Sequence, residues 1–160
     1  MTRRWLAVPL AAGLSLTACH REERAAVAAV RAYDEAVIAA YRGNDISAMR
    51  ELATGEELDR LTVLLGLKRA SRLTMMAELQ RFETRKVEAG RGTATVTTEE
   101  RWRYFDRPDD PTLPSGDTFL ADMVLEYSLV KDGGAWKVRK ARTLSSHYLE
   151  PKGYQPGATR

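Results

Sequence analysis

Reactive side chains are scarce in this chain, which has one cysteine and two histidines among 160 residues. A single cysteine excludes a disulfide within the chain. Two histidines far apart in sequence do not suggest a zinc site with several imidazole ligands. The patterns GxGxxG, GxxxxGK[ST] and GxSxG are missing too, so the sequence indicates neither nucleotide binding nor a nucleophile-elbow hydrolase. We therefore predict no catalytic residues, no metal and no cofactor.

An apolar run long enough to span a membrane is missing from the N-terminal region. The uncharged apolar stretch at 5–16 follows the basic start MTRR, but a spanning helix needs about 20 apolar residues. A basic start, a short apolar segment and small residues before Cys19 are typical of a secretory signal peptide. We predict an export signal over residues 1–18 rather than a membrane-spanning anchor.

Cys19 ends the motif LTAC at 16–19, which resembles the lipobox of bacterial lipoproteins. The resemblance implies that the Cys19 thiol carries a diacylglycerol, that cleavage occurs just before it, and that its new amino group is acylated, for example with palmitate. Removing 18 of the 160 residues leaves 142, which suits one domain with its own core. Residues 19–24 would then be a charged, lipidated tether. The alternative is that Cys19 is an incidental residue of an ordinary leader.

The residue after the cysteine bears on localisation. It is His20, not the aspartate that retains enterobacterial lipoproteins in the inner membrane. The resemblance therefore implies the outer membrane, facing the periplasm, in a source with two membranes. Loss of Arg3 and Arg4 with the leader reduces 25 basic residues to 23 against 22 acidic ones, a net charge of +1. Nucleic-acid binders usually show a concentrated basic footprint, so we predict no nucleic-acid partner.

Helical spacing of apolar residues marks the first half of the mature chain. It predicts helices at 25–42 and 45–52 and a third that starts at Thr54 and frays near Ser71. Thr54 and Glu57 have the spacing of a capping box at the start of that third helix.

Strand-like alternation replaces the helical spacing from about Leu79. The segment 107–118 is rich in Pro, Asp and Gly and is predicted to be a loop, and DGG at 132–134 predicts a hairpin turn. Residues 149–160 are expected to form a mobile tail. Helices followed by an antiparallel meander predict an α+β domain over 25–148, with the helices on one face of a curved sheet.

This order of elements, with the segments TTEERWRYFD and GGAWKV, resembles the nuclear transport factor 2-like (cystatin-like) cone fold. The resemblance is strongest to its non-enzymatic branch in lipoproteins and plastid-division-type domains. It implies a non-catalytic binding or scaffold module in the cell envelope, with an envelope protein as partner and a homodimer as a further expectation. Enzymes of the superfamily, such as ketosteroid isomerase, place acids and tyrosines inside the cone. A small-molecule-binding protein or enzyme is therefore the alternative.

Asp34 is the first candidate for such an interior group, because it lies within the apolar stripe of the first helix. Its carboxylate is expected to face the sheet, where burial raises the pKa. Glu100 should face it from the alternating strand, and paired acids can divide acid and base roles. Four aromatic side chains complete the predicted pocket: Tyr41, Trp102, Tyr104 and Tyr127. The alternative is a structural ion pair of Asp34 with Arg142 or Lys140.

Two charged surface features complete the set of candidates. If their strands are neighbours, four basic residues share the outward face: Arg101, Arg103, Lys137 and Arg139. Such a stripe would contact anionic envelope material, although Glu99 and Glu126 can balance it and a solvated face is the expected reading. Four aspartates lie in or beside the loop: Asp106, Asp109, Asp110 and Asp117. Their spacing lacks the order of a calcium-binding loop, so we interpret them as turn residues.

Overall fold

The computed structural model of this chain describes residues 14–149. Most of the predicted signal peptide and all but the first residue of the predicted tail lie outside these residues. The described elements are α1 (Leu14–Gly43), a short 3-10 helix (Ser47–Met49), α2 (Gly55–Ala70), β1 (Leu73–Ala89), β2 (Thr93–Pro108), β3 (Phe119–Asp132) and β4 (Ala135–Leu149). Neither helix within this part of the chain is long and apolar enough to cross a membrane.

The four strands form one antiparallel meander in the order β1-β2-β3-β4. Two irregularities in the β1–β2 register and two in the β3–β4 register interrupt the pairing. Bulges of this kind bend a strand and increase its twist. They give the sheet the curvature of a cone, and the predicted α+β class with helices on a curved antiparallel sheet is confirmed.

Both helices contact the sheet, and the core lies between them and its inner face. Alternation along β2 follows the prediction, with its inward positions from Ala94 to Glu100 buried. The buried core unites residues from every layer: Val30 and Val37 of α1, Leu61 and Leu65 of α2, Val96, Tyr127, Leu129 and Val138 of the sheet. The packed end of the cone is therefore closed by apolar side chains.

Several element boundaries differ from the prediction. The first helix continues through 20–24, the predicted tether, and Glu22 there forms a 2.7 Å ion pair with Lys131 at the end of β3. The predicted helix at 45–52 is only a 3-10 turn. Strand β1 starts at Leu73, earlier than the predicted Leu79, since the apolar run before Leu79 has no clear period.

The predicted capping box of α2 is wrong. Thr54 is the N-cap residue, but its side chain makes no capping hydrogen bond. Glu57, the other member of the box, is 1% exposed and turns into the protein instead of back toward Thr54. Its carboxylate accepts hydrogen bonds from Tyr33, Arg60 and the Ala141 amide. The Glu57 carboxylate therefore bonds to groups of the protein interior instead of capping the start of α2.

Candidate functional site

A cavity of about 250 Å³ lies between the second half of α1, α2 and the part of the sheet that the helices leave uncovered. We call it the cone cavity. Its aromatic lining comes from Tyr33, Tyr41, Trp102, Tyr104 and Tyr127. Two methionines, Met75 and Met123, and several aliphatic side chains complete the apolar part of the lining. Two charged residues, Asp34 and Arg60, also line the cavity.

Asp34 and Glu100, hereafter the acid pair, meet through one hydroxyl. Tyr127 of β3 lies 3.0 Å from Asp34 Oδ1 and 2.9 Å from Glu100 Oε1. Asp34 is 2% exposed and Glu100 is fully buried. A phenol has one proton to donate, so the Tyr127 hydroxyl donates to one carboxylate at a time while both compete for it.

The two carboxyl groups of the acid pair accept different numbers of hydrogen bonds. Glu100 also accepts hydrogen bonds from the Thr98 hydroxyl and the Trp102 indole N–H, each at 2.6 Å. In the described part of the chain, Asp34 Oδ2 is buried and has no hydrogen-bond partner. Because a carboxylate is stabilised by donors, Glu100 is the better anion and Asp34 the better place for a proton.

Burial raises the pKa of Asp34 well above its ordinary value, and the neighbouring Glu100 charge raises it further, against the hydrogen bond from Tyr127 and the more distant Arg31. Burial also raises the pKa of Glu100, although its three donors oppose this shift. Two carboxylates that share a site do not both ionise readily. The acid pair therefore holds a proton at pH values where exposed carboxylates have lost theirs.

A second polar cluster lies beside the acid pair. Glu57 of α2 accepts a hydrogen bond from the Tyr33 hydroxyl and two from the Arg60 guanidinium, at 3.0 Å and 2.5 Å. The ring of Tyr33 packs edge-on against Tyr127, with centroids 6.0 Å apart. Arg60 is therefore held and neutralised by Glu57 where it lines the cone cavity.

The structure brings the predicted pocket residues together. Asp34 and all four predicted aromatic residues line the cone cavity, and Glu100 lies directly behind Tyr127 and Trp102. Sequence reasoning missed Tyr33, Glu57 and Arg60. Tyr33 is adjacent to Asp34, which was a usable signal, whereas Glu57 carried the spacing of a helix cap.

The alternative interpretation, an ion pair of Asp34 with Arg142 or Lys140, is wrong. Arg142 binds Glu126 at 2.8 Å, and the nearest carboxylate oxygen to Lys140 belongs to Glu56 at 3.9 Å. In the β3–β4 register Arg142 and Lys140 lie opposite Glu126 and Ser128, on the outer side of the sheet. A bulge in this part of β4 shifts the alternation that a sequence-based count assumes.

The predicted basic stripe is not contiguous, because β3 lies between β2 and β4. Arg101 forms a bidentate pair with Asp122 at 2.7 and 2.8 Å, and Arg103 lies 3.6 Å from Glu78. Lys137 contacts Asp132 at 3.1 Å, and Arg139 lies exposed at the β3–β4 bulge. Most of these basic side chains thus have acidic partners on the protein itself.

Asp106 was predicted to be a turn residue but lies in β2 and pairs with α2, whereas Asp110 has the predicted local role. Lys68 binds both carboxylate oxygens of Asp106, and Asp110 accepts hydrogen bonds from the Thr112 amide and hydroxyl. Within residues 14–149, no three His, Cys, Asp or Glu side chains are grouped so as to hold a metal ion.

Comparisons with known proteins bear on the fold. No protein-family model matches the chain, and no curated protein is significantly similar to it in sequence. The intermembrane space region of the chloroplast protein ARC6 is similar in structure, with a TM-score of 0.66 and 15% identity over 77% of this chain and 96% of that one. Type 2 hexachlorocyclohexane dehydrochlorinase (LinA) has a TM-score of 0.50 and 10% identity, over 88% of this chain and 99% of that one. The chain has the nuclear transport factor 2-like cone fold.

The geometry of the cone cavity limits its chemistry. The hydrogen bonds of Tyr127, Trp102 and Thr98 are directed at the acid pair rather than at the cavity. Asp34 lines the cavity, and its Oδ2 is the buried carboxyl oxygen that has no hydrogen-bond partner among the described residues. The cavity can therefore bind a small molecule through one polar contact and a large apolar surface.

Proposed function

We propose that this chain is an exported lipoprotein, anchored through lipid on Cys19, whose cone cavity binds a small molecule without catalysis. The leader motif LTAC supports the anchor. The unpartnered, buried carboxyl oxygen of Asp34 at the cavity wall carries the proposal for the cavity. The expected location is the outer membrane, facing the periplasm, because His20 follows the cysteine.

An unsatisfied buried polar group costs roughly 1–3 kcal/mol of stability. Asp34 occupies a helix position where an apolar residue would pack against the same neighbours, and it is only 2% exposed. A ligand that hydrogen-bonds to Oδ2 would offset this cost. Binding sites are commonly apolar cavities in which a few polar groups fix the orientation of the ligand, and Asp34 fits that role.

The size of the cavity restricts the ligand. A dry cavity of about 150 Å³ accommodates benzene, and the cone cavity measures about 250 Å³. A molecule with one or two rings, or a short branched chain, fits this space. An acyl chain of a membrane lipid does not.

The helical conformation at the start of α1 bears on the orientation of the anchored domain relative to the membrane. Glu22 ties α1 to Lys131, and the Lys131 amide bonds to Gly92 at the β1–β2 turn. Glu22, three residues after Cys19, therefore lies beside the hairpin turns. Phe119 lies at the opposite end of the sheet, about 40 Å away along the extended strand β3. We propose that the cavity opens on the side away from the membrane.

Native mass spectrometry of the lipidated protein, purified from membranes in mild detergent, tests the cavity proposal. We expect wild type to retain a molecule of small mass that Asp34→Leu, which keeps the branched outline of the side chain but replaces the carboxyl oxygens with methyl groups, does not. The exposed, matched control Asp59→Asn should retain it. If no molecule is retained, or if Asp34→Leu retains the same one, the ligand is not held by Asp34 and the proposal is wrong.

A second candidate is a scaffold role in which an envelope protein docks on the cone mouth, which we define as Leu113, Phe119 and Tyr148. These apolar side chains are 48–57% exposed, and two of them, Phe119 and Tyr148, contact Tyr104 of the cavity lining. A contiguous apolar patch at the mouth would be a site for protein interaction. Cross-linking in membranes followed by mass spectrometry should recover one protein with wild type but not with a Phe119→Ser, Tyr148→Ser variant. A second copy of this chain would indicate a homodimer. Recovery that does not depend on the two substitutions would exclude this surface.

A further inference from the structure

We propose that the ligand of the cone cavity is a small organic cation, a protonated amine, and that its binding displaces a proton from the acid pair to solvent. This inference rests on the proposed function, since it names the ligand class for the same cavity. Its basis is the arrangement of charge and aromatic surface around Asp34.

The charge balance of the cavity favours a cation. Glu57 and Arg60 neutralise each other through two hydrogen bonds. Glu100 is supplied with three donors and is therefore suited to remain an anion. With Asp34 protonated, Glu100 leaves one net negative charge behind the wall; among the described residues no cation forms an ion pair with it, and Arg31 acts on it from a greater distance. Loss of the Asp34 proton on binding would add a second negative charge, and the bound ammonium group would neutralise that second charge.

The aromatic wall favours the same class of ligand. Tyr41, Trp102, Tyr104 and Tyr127 line the cavity next to Asp34. Faces of such rings attract organic cations, and aromatic cages are a recurrent way of recognising amines. Met75 and Met123 add adaptable, polarisable surface for the apolar part of the ligand.

An anionic ligand fits poorly. The cation that lines the cavity is Arg60, and its nitrogens Nε and Nη2 donate to Glu57. Arg31 lies outside the lining and places its guanidinium 4.1 Å from the centre of the Phe82 ring. Within the described lining, Nη1 of Arg60 is the cationic nitrogen left for an anion, and a carboxylate or phosphate that reached it would also meet Asp34 and the charge of Glu100.

Titratable and polar groups from four elements surround the acid pair. They are Arg31, Glu35 and Tyr41 of α1, the Glu57–Arg60 pair of α2, Thr98 and Trp102 of β2, and Tyr127 of β3. No covalent bond changes. The ammonium group keeps its proton and donates to Asp34 Oδ2, while the carboxyl proton leaves to water. Binding is therefore expected to weaken as the pH falls and protons compete for Asp34.

Isothermal titration calorimetry with matched probes tests the inference on the full-length protein. The probes are pairs in which an ammonium group replaces a hydroxyl: benzylamine and benzyl alcohol, 2-phenylethylamine and 2-phenylethanol, cyclohexylamine and cyclohexanol. We expect at least one amine to bind at least tenfold more tightly than its alcohol. Phosphate and Tris differ in their enthalpy of protonation, so the binding heats measured in the two buffers should differ by the amount expected for release of about one proton.

Two variants complete the test. The amine preference should disappear in Asp34→Asn, which keeps the shape of the side chain but cannot ionise, and persist in Asp59→Asn. Equal or tighter binding of the alcohols, or an absence of proton release, would overturn the cationic ligand and leave a small-molecule cavity standing. Failure of both members of every pair to bind would overturn this inference and also count against the proposed function.

Discussion

Asp34 is buried in a helix face that otherwise carries apolar side chains, and it lines the cone cavity. Its Oδ1 shares the Tyr127 hydroxyl with Glu100, whereas Oδ2 has no partner within the described part of the chain. A carboxyl in this position is stable as the neutral acid. The same residue is thus a weak point of the folded state and the natural contact for a ligand.

The raised pKa of Asp34 makes stability depend on pH in a defined direction. The folded state holds a proton that the unfolded chain releases above about pH 4, so stability should fall as the pH rises from there toward the folded pKa. For one proton the slope reaches about 1.4 kcal/mol per pH unit. Urea unfolding of Asp34→Asn across this range should show a shallower fall than wild type. An identical slope would mean that Asp34 is ionised in the folded protein.

Tyr127→Phe should destabilise the fold by about 1–3 kcal/mol, because it leaves both buried carboxyls short of a donor. Tyr41→Phe is the matched control, since its ring lines the same cavity but its hydroxyl does not join the acid pair. Chemical denaturation of the two variants provides the comparison. Equal losses would show that the hydroxyl bridge contributes no specific stability.

The burial of Asp34 and Glu100 was predictable from sequence because each lies on a regular face. Asp34 falls in a helical apolar stripe, and Glu100 falls in the alternating set of β2. The partner of Asp34 was not predictable. Whether Tyr127 or Arg142 reaches it depends on the register and bulges of β3 and β4, which no local pattern encodes.

At the level of elements, the strands followed their sequence patterns more closely than the helices. The hairpin turn predicted from DGG is present, with Asp132 paired to Ala135 and positive φ at Gly133 and Gly134. Glu57 shows the limit of local rules, because its spacing from Thr54 satisfies a capping box while its carboxylate is used by Tyr33 and Arg60. Contacts between α1, α2 and the sheet therefore determine where the Glu57 side chain lies.

The same substitution should have opposite effects in the turn and in α2. Gly134 has φ of +87°, so Gly134→Ala should cost about 1–2 kcal/mol although there is space for the methyl group. Gly66 lies exposed in the interior of α2 with equal space around it. Gly66→Ala should stabilise the protein by up to about 1 kcal/mol. Thermal unfolding of both variants measures the contrast, and shifts of the same sign would contradict the assigned turn geometry.

On the scale of the whole molecule, we propose that a lipid anchor lies at one end of the cone and that the cavity opens toward the other end. Cys19 lies within the first turns of α1, only three residues before Glu22, which is tied to Lys131. The anchor would therefore hold the domain through a helix rather than through a loose linker. The leader and lipobox stay predictions from the sequence, and the continuity of α1 through residues 20–24 was not predicted.

Substitution of the predicted lipidation site tests the anchor. Cys19→Ser should move the protein from the membrane fraction to the soluble fraction of the envelope and lower its mass by the attached lipid, because stable attachment requires two or more acyl chains. Fractionation and intact-mass measurement provide the readout. An unchanged distribution and mass would show that the protein is not held by lipid on Cys19.

Carbon-13 NMR of the Asp34 side-chain carboxyl, followed from about pH 3 to about pH 9, measures directly whether this residue holds a proton in the folded protein. We expect a titration midpoint well above 4 that falls in Glu100→Gln, where the neighbouring charge is removed, and a shift of the same signal when an amine probe enters the cavity. A midpoint near 4 that is unchanged by Glu100→Gln and by every probe would contradict this expectation.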